Sequence, residues 1–236
     1  ILLPYKENFS PDYPGAVSLF VYETSRISKY RNKITVFGNT NFKKKFKIRY
    51  ENISLKNYLF SSQTKNYVSK FIDLQKKYNF SIIEVHNRPS YVNILSKKLK
   101  DKIFSLYFHN DPLSMDGSKK ISDRKNLLKI CHKIIFNSNW SKKRFLEGLE
   151  NKFVNSDKLV VFFQSAKKNN LKIISKKKKW ITFVGKLNKA KGYDIFSKAI
   201  QKILQKYPDW RAKIIGDEKR EKIILDHKNA DVLGFL

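Results

Sequence analysis

The stretch Ile181-Thr-Phe-Val-Gly-Lys-Leu-Asn-Lys-Ala-Lys-Gly192 opens a strand, loop and helix unit. Its first four residues form a short apolar run of the kind that makes a buried strand. A polar loop with three lysines follows, and after Gly192 apolar residues recur at a period of 3.6 as far as Tyr207. Backbone N–H groups and the positive end of the helix dipole would point into this loop, so the stretch predicts a seat for a phosphate. The competing interpretation is a solvated loop with incidental lysines.

The same alternation of strand and helix runs through the rest of the chain. Predicted strands cover residues 1–5, 33–38, 80–86, 102–108, 133–136, 159–163, 181–184, 211–216 and 231–236, with a possible further strand at 46–50. Predicted helices cover residues 16–27, 67–78, 91–99, 122–131, 193–207 and 218–227, and one more follows residues 137–141. This order predicts an α/β fold with a doubly wound parallel sheet and right-handed crossovers. We assign residues 1–165 to a first domain, 166–179 to a basic linker and 180–236 to a second domain.

The chain is strongly basic. Its 236 residues carry 50 Lys and Arg against 20 Asp and Glu, a formal net charge of +30. That balance allows nucleic acid, an anionic membrane surface or phosphorylated ligands as partners. A composition set by A+T-rich codons, with the charge spread over solvated faces, is the alternative explanation.

Several classes of protein are disfavoured by what the sequence lacks. A single cysteine, Cys131, excludes an internal disulfide framework, fits a reducing cytosol and is expected to be an inert buried thiol. There is no Cys/His cluster or Asp-x-Asp pair for a metal, no dinucleotide or Walker fingerprint, and no Gly-x-Ser-x-Gly elbow. No apolar run approaches the roughly 18 residues of a membrane span, and no signal peptide is visible.

Candidate site residues follow the predicted strands, because ligands of such sheets sit beyond the carboxyl ends of the strands. His86 and His109 each end a strand and would face the same crevice, where imidazole could donate to or accept from a sugar hydroxyl or a phosphate. Histidines bound to loop backbone are the competing interpretation. Asn110 and Asp111 add acceptors beside His109, although Asn and Asp next to Pro are also ordinary turn residues.

Taken together, these loops resemble the family 4 glycosyltransferases of the GT-B superfamily (glycosyl transferases group 1). The family pattern Phe-Val-Gly-Arg-Leu, then Lys-Gly and a helix, is matched by Phe183-Val-Gly-Lys-Leu187 with Lys191-Gly192. Further matches are the strand ends, the loop before the first helix and a strand–Ser–helix junction: Ile214-Ile-Gly-Asp217, Val232-Leu-Gly-Phe235, Pro14-Gly-Ala-Val17 and Ile135-Phe-Asn-Ser-Asn-Trp-Ser141.

The resemblance implies two facing Rossmann-like domains and a retaining, metal-independent glycosyltransferase without a cofactor. By resemblance, Lys186, Lys191 and Gly15 bind the diphosphate of a nucleotide-sugar donor, and His109 is an active-site residue near the transferred sugar. His86, Asn110 and Asp111 are candidates on the acceptor or sugar side. The implied acceptor is a lipid-linked sugar or polysaccharide, at the inner face of a membrane in the cytoplasm. A basic nucleic-acid- or membrane-binding protein and an inactive relic remain the alternatives.

The chain departs from the family pattern at three places. Lys186 replaces the usual Arg and gives a point charge instead of a bidentate fork. Ala16 replaces a second glycine, and Phe162-Phe-Gln-Ser-Ala166 stands where Asn-Gly-(Val/Ile)-Asp is usual. The part after residue 178 is also shorter than the roughly 100 residues of such a lobe. We therefore expect a fragment without a few residues at its start, much of the second domain and that domain's Glu-Pro-Phe-Gly…Glu motif.

Overall fold

The computed structural model describes residues 1–55, 62–165, 177–218, 221 and 223–235. The chain divides into two compact units, Ile1–Lys167 and Lys168–Leu236. The helices and strands of the first unit are α1 (Ala16–Ile27), β1 (Val36–Gly38), β2 (Tyr50–Asn52), α2 (Gln63–Tyr78), β3 (Ile82–His86), α3 (Pro89–Lys98), β4 (Ile103–Phe108), α4 (Ile121–Ile130), β5 (Cys131–Phe136), α5 (Asn139–Leu146) and β6 (Leu159–Val161). Those of the second unit are β7 (Trp180–Val184), α6 (Tyr193–Lys206), β8 (Arg211–Ile215) and β9 (Ala230–Val232).

In the first unit, β1 and β2 pair in parallel, and β3, β4, β5 and β6 form a parallel sheet in that order. The segment Ile1–Leu3 joins the two sets, because Leu2 bridges in parallel to Phe37 of β1 and to Val85 of β3. The strand order is therefore β2, β1, the first segment, β3, β4, β5 and β6. This is the order of a doubly wound sheet, with its reversal point between the first segment and β3.

Both faces of this sheet are buried. Leu2 and Phe37 belong to the core cluster that includes Tyr67, whereas their chain neighbours Leu3 and Val36 belong to a second cluster with residues of α1. Successive residues of a strand point to opposite faces, so the two clusters are the two covered sides of one sheet. This double cover explains why the strands contain near-continuous apolar runs.

The second unit is a three-stranded parallel sheet, in the order β7, β8, β9, with α6 packed on it. Tyr193, Ile200 and Leu204 of α6 pack against Ala212 and Ile214 of β8. The fold of each unit is thus the α/β class that the sequence predicts, with parallel strands and crossover helices.

The structure corrects several sequence predictions. The described residues of the predicted helix at 218–227, namely 218, 221 and 223–227, are not helical. The possible strand at 46–50 is instead found at Tyr50–Asn52. The run 181–184 lies in β7 but is not fully buried. Val184 is 71% exposed, and Trp180, the first residue of β7, is 45% exposed. Most of the proposed linker, residues 166–176, lies outside the described residues.

The carboxyl ends of β7 and β8 approach so closely that Gly216 is required between them. A Cβ at Gly216 would lie 1.8 Å from the Gly185 carbonyl oxygen, and Gly216 has φ +140°. We expect Gly216→Ala to destabilise the second unit by about 3 kcal/mol or more, since strain and a backbone clash add. Urea unfolding followed by tryptophan fluorescence measures this, because Trp180 and Trp210 lie in the second unit.

Gly192→Ala is the matched control for this prediction. Gly192 also has a positive φ, +70°, but a Cβ there would have no atom within 4 Å. That substitution should cost only the left-handed backbone penalty of about 1 kcal/mol. Equal losses for the two variants would contradict the proposed close approach.

Candidate functional site

A cleft of about 260 Å³ lies at the carboxyl edge of the first unit's sheet, where the strand order reverses. It is lined by Pro4, Lys6, Glu7, Ala16, Val17, Asn87, Arg88 and Asn110. The loops after the first segment, β3 and β4 all contribute, as expected of parallel strands whose carboxyl ends share one edge. The cleft therefore brings two cations, one carboxylate and two side-chain amides together.

A chain of hydrogen-bonded side chains lies across this edge. Glu84 Oε1 is 2.7 Å from His86 Nε2, and His86 Nδ1 is 2.8 Å from His109 Nε2. On the far side of the ring, His109 Nδ1 is 2.5 Å from Gln164 Nε2. The structure thus brings the two predicted histidines into direct contact. It adds two partners that the sequence analysis missed, Glu84 and Gln164.

Stacked rings fix the planes of both imidazoles. Tyr107 stacks on His109 with 4.5 Å between ring centroids and on His86 with 5.3 Å. Phe20 of α1 meets His109 and Tyr107 edge-on at 5.1 and 5.0 Å. Tyr107 in turn donates its hydroxyl to the Phe162 carbonyl at 3.0 Å. Neither imidazole can rotate without disturbing this stack.

The charges of the cluster are set by its burial. Burial, and the repulsion between the two imidazoles when both are protonated, lower the pKa of His109 to about 3, so His109 is neutral near pH 7. For Glu84, burial acts to raise the pKa, but the hydrogen bond from His86 and weaker electrostatic attractions together outweigh it and hold the pKa below its usual value. Burial also raises the pKa of Tyr107 and keeps its hydroxyl protonated.

Asn87 is a further residue that the sequence analysis did not identify. It adopts a left-handed conformation, with φ +53°, and it is buried. Its Oδ1 accepts from the His109 backbone N–H at 2.8 Å, and its own N–H donates to the Tyr107 carbonyl at 2.8 Å. Asn137 Nδ2 donates to the His109 carbonyl at 2.8 Å. Two asparagines therefore hold the backbone that carries His109.

Gly15 lies at the N-cap of α1, but a carboxylate of the chain already occupies the amide groups beside it. Glu7 Oε1 accepts from the Ser18 backbone N–H at 2.9 Å. A Cβ at Gly15 would lie 2.0 Å from that same oxygen, so the glycine makes room for Glu7. An anion does bind at this helix start, and it is Glu7.

Asn110 and Asp111 lie in the loop after β4 and differ in their surroundings. Asn110 is exposed and lines the cleft. Asp111 accepts from the Leu113 N–H at 3.0 Å and pairs with Arg144 of α5 at 3.2 Å. Its carboxylate is thus engaged in a turn and an ion pair, as the turn interpretation of this loop predicts.

In the second unit, the loop between β7 and α6 carries both predicted diphosphate-binding lysines. Lys186 and Lys191 are exposed, and no ion pair is recorded for either within the described residues. The buried Asn188 organises the loop, since its Oδ1 accepts from the Lys191 N–H at 3.1 Å. The sequence analysis missed Asn188, although Asn is a common cap before a helical turn.

Two carboxylates reach this loop from the chain after β8. Glu218 Oε2 accepts from Asn188 Nδ2 at 3.3 Å, and Glu221 Oε2 accepts from the Lys189 backbone N–H at 3.0 Å. A loop amide that a phosphate could take is therefore already bonded to an anion of the chain. These contacts accompany the non-helical conformation of the described residues 218, 221 and 223–227.

Other classes of site find little support in the part of the chain that the structure describes. There, no group of three His, Cys, Asp or Glu side chains is placed to hold a metal ion. No helix found there is both long and apolar enough to cross a bilayer. Cys131 is buried, and burial raises the pKa of its thiol to about 12, which makes it a poor nucleophile.

The fold of the chain is that of the GT-B glycosyltransferases. It superposes on Anabaena Alr3699/HepE in complex with UDP-glucose with a TM-score of 0.67 at 14% identity, over 100% of this chain and 69% of that one. A glycosyltransferase from Rickettsia africae matches with a TM-score of 0.61 at 18% identity, over 99% and 67% of the two chains. UDP-GlcNAc 2-epimerase from Neisseria meningitidis, bound to UDP-GlcNAc, matches with 0.52 at 14%, over 93% and 67%.

Residues 164–236 match the sequence model of the family described as glycosyl transferases group 1. The match begins at Gln164 and covers β7, the lysine loop and α6. It confirms the resemblance at the level of group 1 glycosyl transferases with a GT-B fold. No curated protein matches the chain in sequence.

The low pKa of His109 makes a prediction about stability. An unfolded histidine titrates near pH 6.5, so between about pH 6.5 and 3 the unfolded chain binds a proton that folded His109 refuses. The contribution of neutral His109 should be complete above pH 6.5 and should fall as the pH drops, by at most about 1.4 kcal/mol per pH unit. Urea unfolding between pH 7 and 4 should therefore show a shallower pH dependence for His109→Gln. His132→Gln, at an exposed position of β5, is the matched control for the loss of one histidine.

Proposed function

We propose that the chain is a retaining, metal-independent glycosyltransferase that uses a nucleoside diphosphate sugar as donor. The observation that carries the proposal is the loop of residues 185–192. It places exposed lysines between the end of β7 and the start of α6, inside the segment that matches group 1 glycosyl transferases. The HepE structure with UDP-glucose supports a nucleotide-sugar as the donor class.

Lys186 and Lys191 would neutralise the negative charge that grows on the departing diphosphate. Cations aimed at developing charge stabilise the transition state more than the ground state, and they increase the rate accordingly. They could do so without a divalent metal.

His109 would orient the transferred sugar or the acceptor at the carboxyl edge of the first unit. A histidine that is neutral and fixed by stacking can bind a hydroxyl without an electrostatic preference for phosphate. Lys6, Arg88 and Asn110, which line the neighbouring cleft, are the polar groups that would receive the rest of a ligand.

The acceptor we propose is a lipid-linked sugar or polysaccharide at the cytoplasmic face of a membrane. The formal charge of +30 supports binding to anionic lipid, where each cation near the surface adds about 1 kcal/mol. Nucleic acid is the competing partner of so basic a chain. Steeply salt-dependent binding to a DNA duplex, without selectivity for nucleotide-sugars, would favour it.

One prediction of the proposed function concerns Lys186 and Lys191. Lys186→Ala and Lys191→Ala should each weaken the binding of UDP by about tenfold, since each removes a charge-assisted contact to a phosphate. Isothermal titration calorimetry measures this. Lys198→Ala, on the exposed side of α6, changes the net charge equally and should leave the affinity within about twofold. Equal losses in all three variants would reduce the effect to general charge and would remove the site assignment.

A second prediction concerns the reaction. With UDP-glucose and water as acceptor, a retaining transferase releases glucose whose first-formed anomer is α, and excess EDTA leaves the rate unchanged. Proton NMR, recorded before the anomers equilibrate, distinguishes α from β glucose. An initial β anomer would refute retention, and loss of the rate in EDTA would refute metal independence. An isomerised nucleotide-sugar without free glucose would indicate an epimerase, which shares this fold.

A further inference from the structure

We propose that Glu84 and His86 are positioning residues that decide which nitrogen of His109 carries its proton. In this arrangement Glu84 and His86 hold the proton of His109 on Nε2, and the Nδ1 lone pair of His109 faces outward as a hydrogen-bond acceptor. Glu84 was not among the candidates from the sequence, and His86 was a candidate only for direct contact with the sugar or the acceptor.

The order of protons follows from the Glu84 end of this series of hydrogen bonds. An ionised carboxylate only accepts, so His86 Nε2, at 2.7 Å, must carry the proton between them. When the His86 ring carries this single proton, its other nitrogen, Nδ1, is an acceptor. His109 Nε2, at 2.8 Å from His86 Nδ1, must therefore donate, and His109 Nδ1 is left without a proton.

The opposite end of this hydrogen-bonded series agrees with the order. The Gln164 amide nitrogen lies 2.5 Å from His109 Nδ1, and an amide nitrogen only donates. Reversing every proton would place two lone pairs face to face between Glu84 and His86. It would also place two protons face to face between His109 and Gln164. With the Gln164 amide oriented as it is in the structure, only one direction satisfies all three contacts.

The surroundings prevent the rings from escaping this order by turning over. His86 has no exposed surface and stacks on His109 at 5.1 Å, with Tyr107 stacked on both rings. The titratable groups that face His109 are His86 and Tyr107, with Glu84 one step beyond. Phe20 closes the edge from α1 and adds no charge. When only one order of protons satisfies every hydrogen bond in a buried row, each other order leaves unpaired polar groups and costs much free energy.

The consequence for the ligand rests on the proposed function. Gln164 is exposed, and its amide occupies the place of a ligand donor on His109 Nδ1. A group that replaces it must donate a hydrogen bond, which a sugar hydroxyl does and a fully ionised phosphate oxygen does not. His109 would therefore bind a hydroxyl of the sugar or of the acceptor, and the diphosphate would bind elsewhere.

The ring nitrogens of His109 can be observed directly by ¹⁵N NMR of the 236-residue chain near pH 7. We expect Nε2 to be protonated and Nδ1 to be bare with at least about tenfold preference, the size that one charge-assisted hydrogen bond supports. Gln164→Glu, an isosteric change at an exposed position, puts a second carboxylate at Nδ1. The two histidines between two carboxylates should then take up an extra proton, with a protonation midpoint raised by about one pH unit or more.

Gln164→Ala is the control, because it removes the donor without adding an acceptor and should leave the proton on Nε2. A protonated Nδ1 in the unsubstituted chain would overturn the proposal. An unchanged midpoint in Gln164→Glu would overturn it as well.

A second variant tests the role of Glu84 from the other end. Glu84→Lys replaces an acceptor by a donor at a side chain that is one-third exposed, so the new side chain can be accommodated. Lys would donate to His86 Nε2, His86 Nδ1 would donate to His109 Nε2, and the proton of His109 would move to Nδ1. The exposed Gln164 amide would then turn and accept that proton through its oxygen. Glu84→Gln can still accept from His86 and should keep the original order. An unchanged proton on Nε2 in the Lys variant would refute the positioning role.

None of these measurements needs a sugar donor or turnover, so the proton order and the transferase activity can fail independently.

Discussion

The first unit depends on the insertion of its first three residues between β1 and β3. Leu2 N–H donates to the Glu84 carbonyl at 2.8 Å and Leu3 N–H to the Phe37 carbonyl at 2.9 Å, while His86 and Phe37 donate back to the carbonyls of Leu2 and Ile1 at 3.2 and 2.8 Å. These bonds join two small sheets into one and create the reversal of strand order. The reversal separates the loops on either side of it, and the cleft with Lys6 and Arg88 opens between them. Without this insertion the buried backbone groups on both neighbouring strands would lack partners.

The same sheet explains the position of the hydrogen-bonded side chains Glu84, His86, His109 and Gln164. Glu84 and His86 lie two residues apart on β3 and point to the same face, and His86 lies opposite Tyr107 of β4 in the parallel register. His109 comes two residues after Tyr107 and therefore continues that row. Polar side chains in a buried row are tolerated only when each is bonded, and Glu84, His86, His109 and Gln164 meet that condition in one unbroken series. The strand period and the register are thus sufficient to assemble the cluster.

The sequence was enough to predict the strands β3, β4, β5 and β7, the helix α6 and the α/β class, because their apolar periods are strong and local. It also predicted that His86 and His109 would share an edge, since both end parallel strands. It could not show that Glu84 bonds to His86, because that contact depends on a side-chain rotamer and on the stacking of Tyr107. The helix predicted at 218–227 was wrong in its described residues, 218, 221 and 223–227, and the contacts there are tertiary. Glu218 and Glu221 bond to the loop after β7, and these contacts outweigh a weak local preference.

Each unit places a carboxylate of its own on an amide that an incoming phosphate could use. In the first unit Glu7 bonds to the Ser18 N–H, and in the second Glu221 bonds to the Lys189 N–H. A phosphate that binds at either amide must first displace the carboxylate. Its net binding free energy is therefore the affinity of the amide for phosphate minus its affinity for the carboxylate, which is smaller than the value for an unoccupied amide. The helix start and the loop amides then contribute little net preference. The remaining difference in binding free energy must come from charges that form no ion pair within the described residues, and Lys186 and Lys191 are such charges beside the loop amide of Lys189. This competition makes the lysine side chains, more than the backbone of the loop, the groups on which selectivity for a diphosphate would depend.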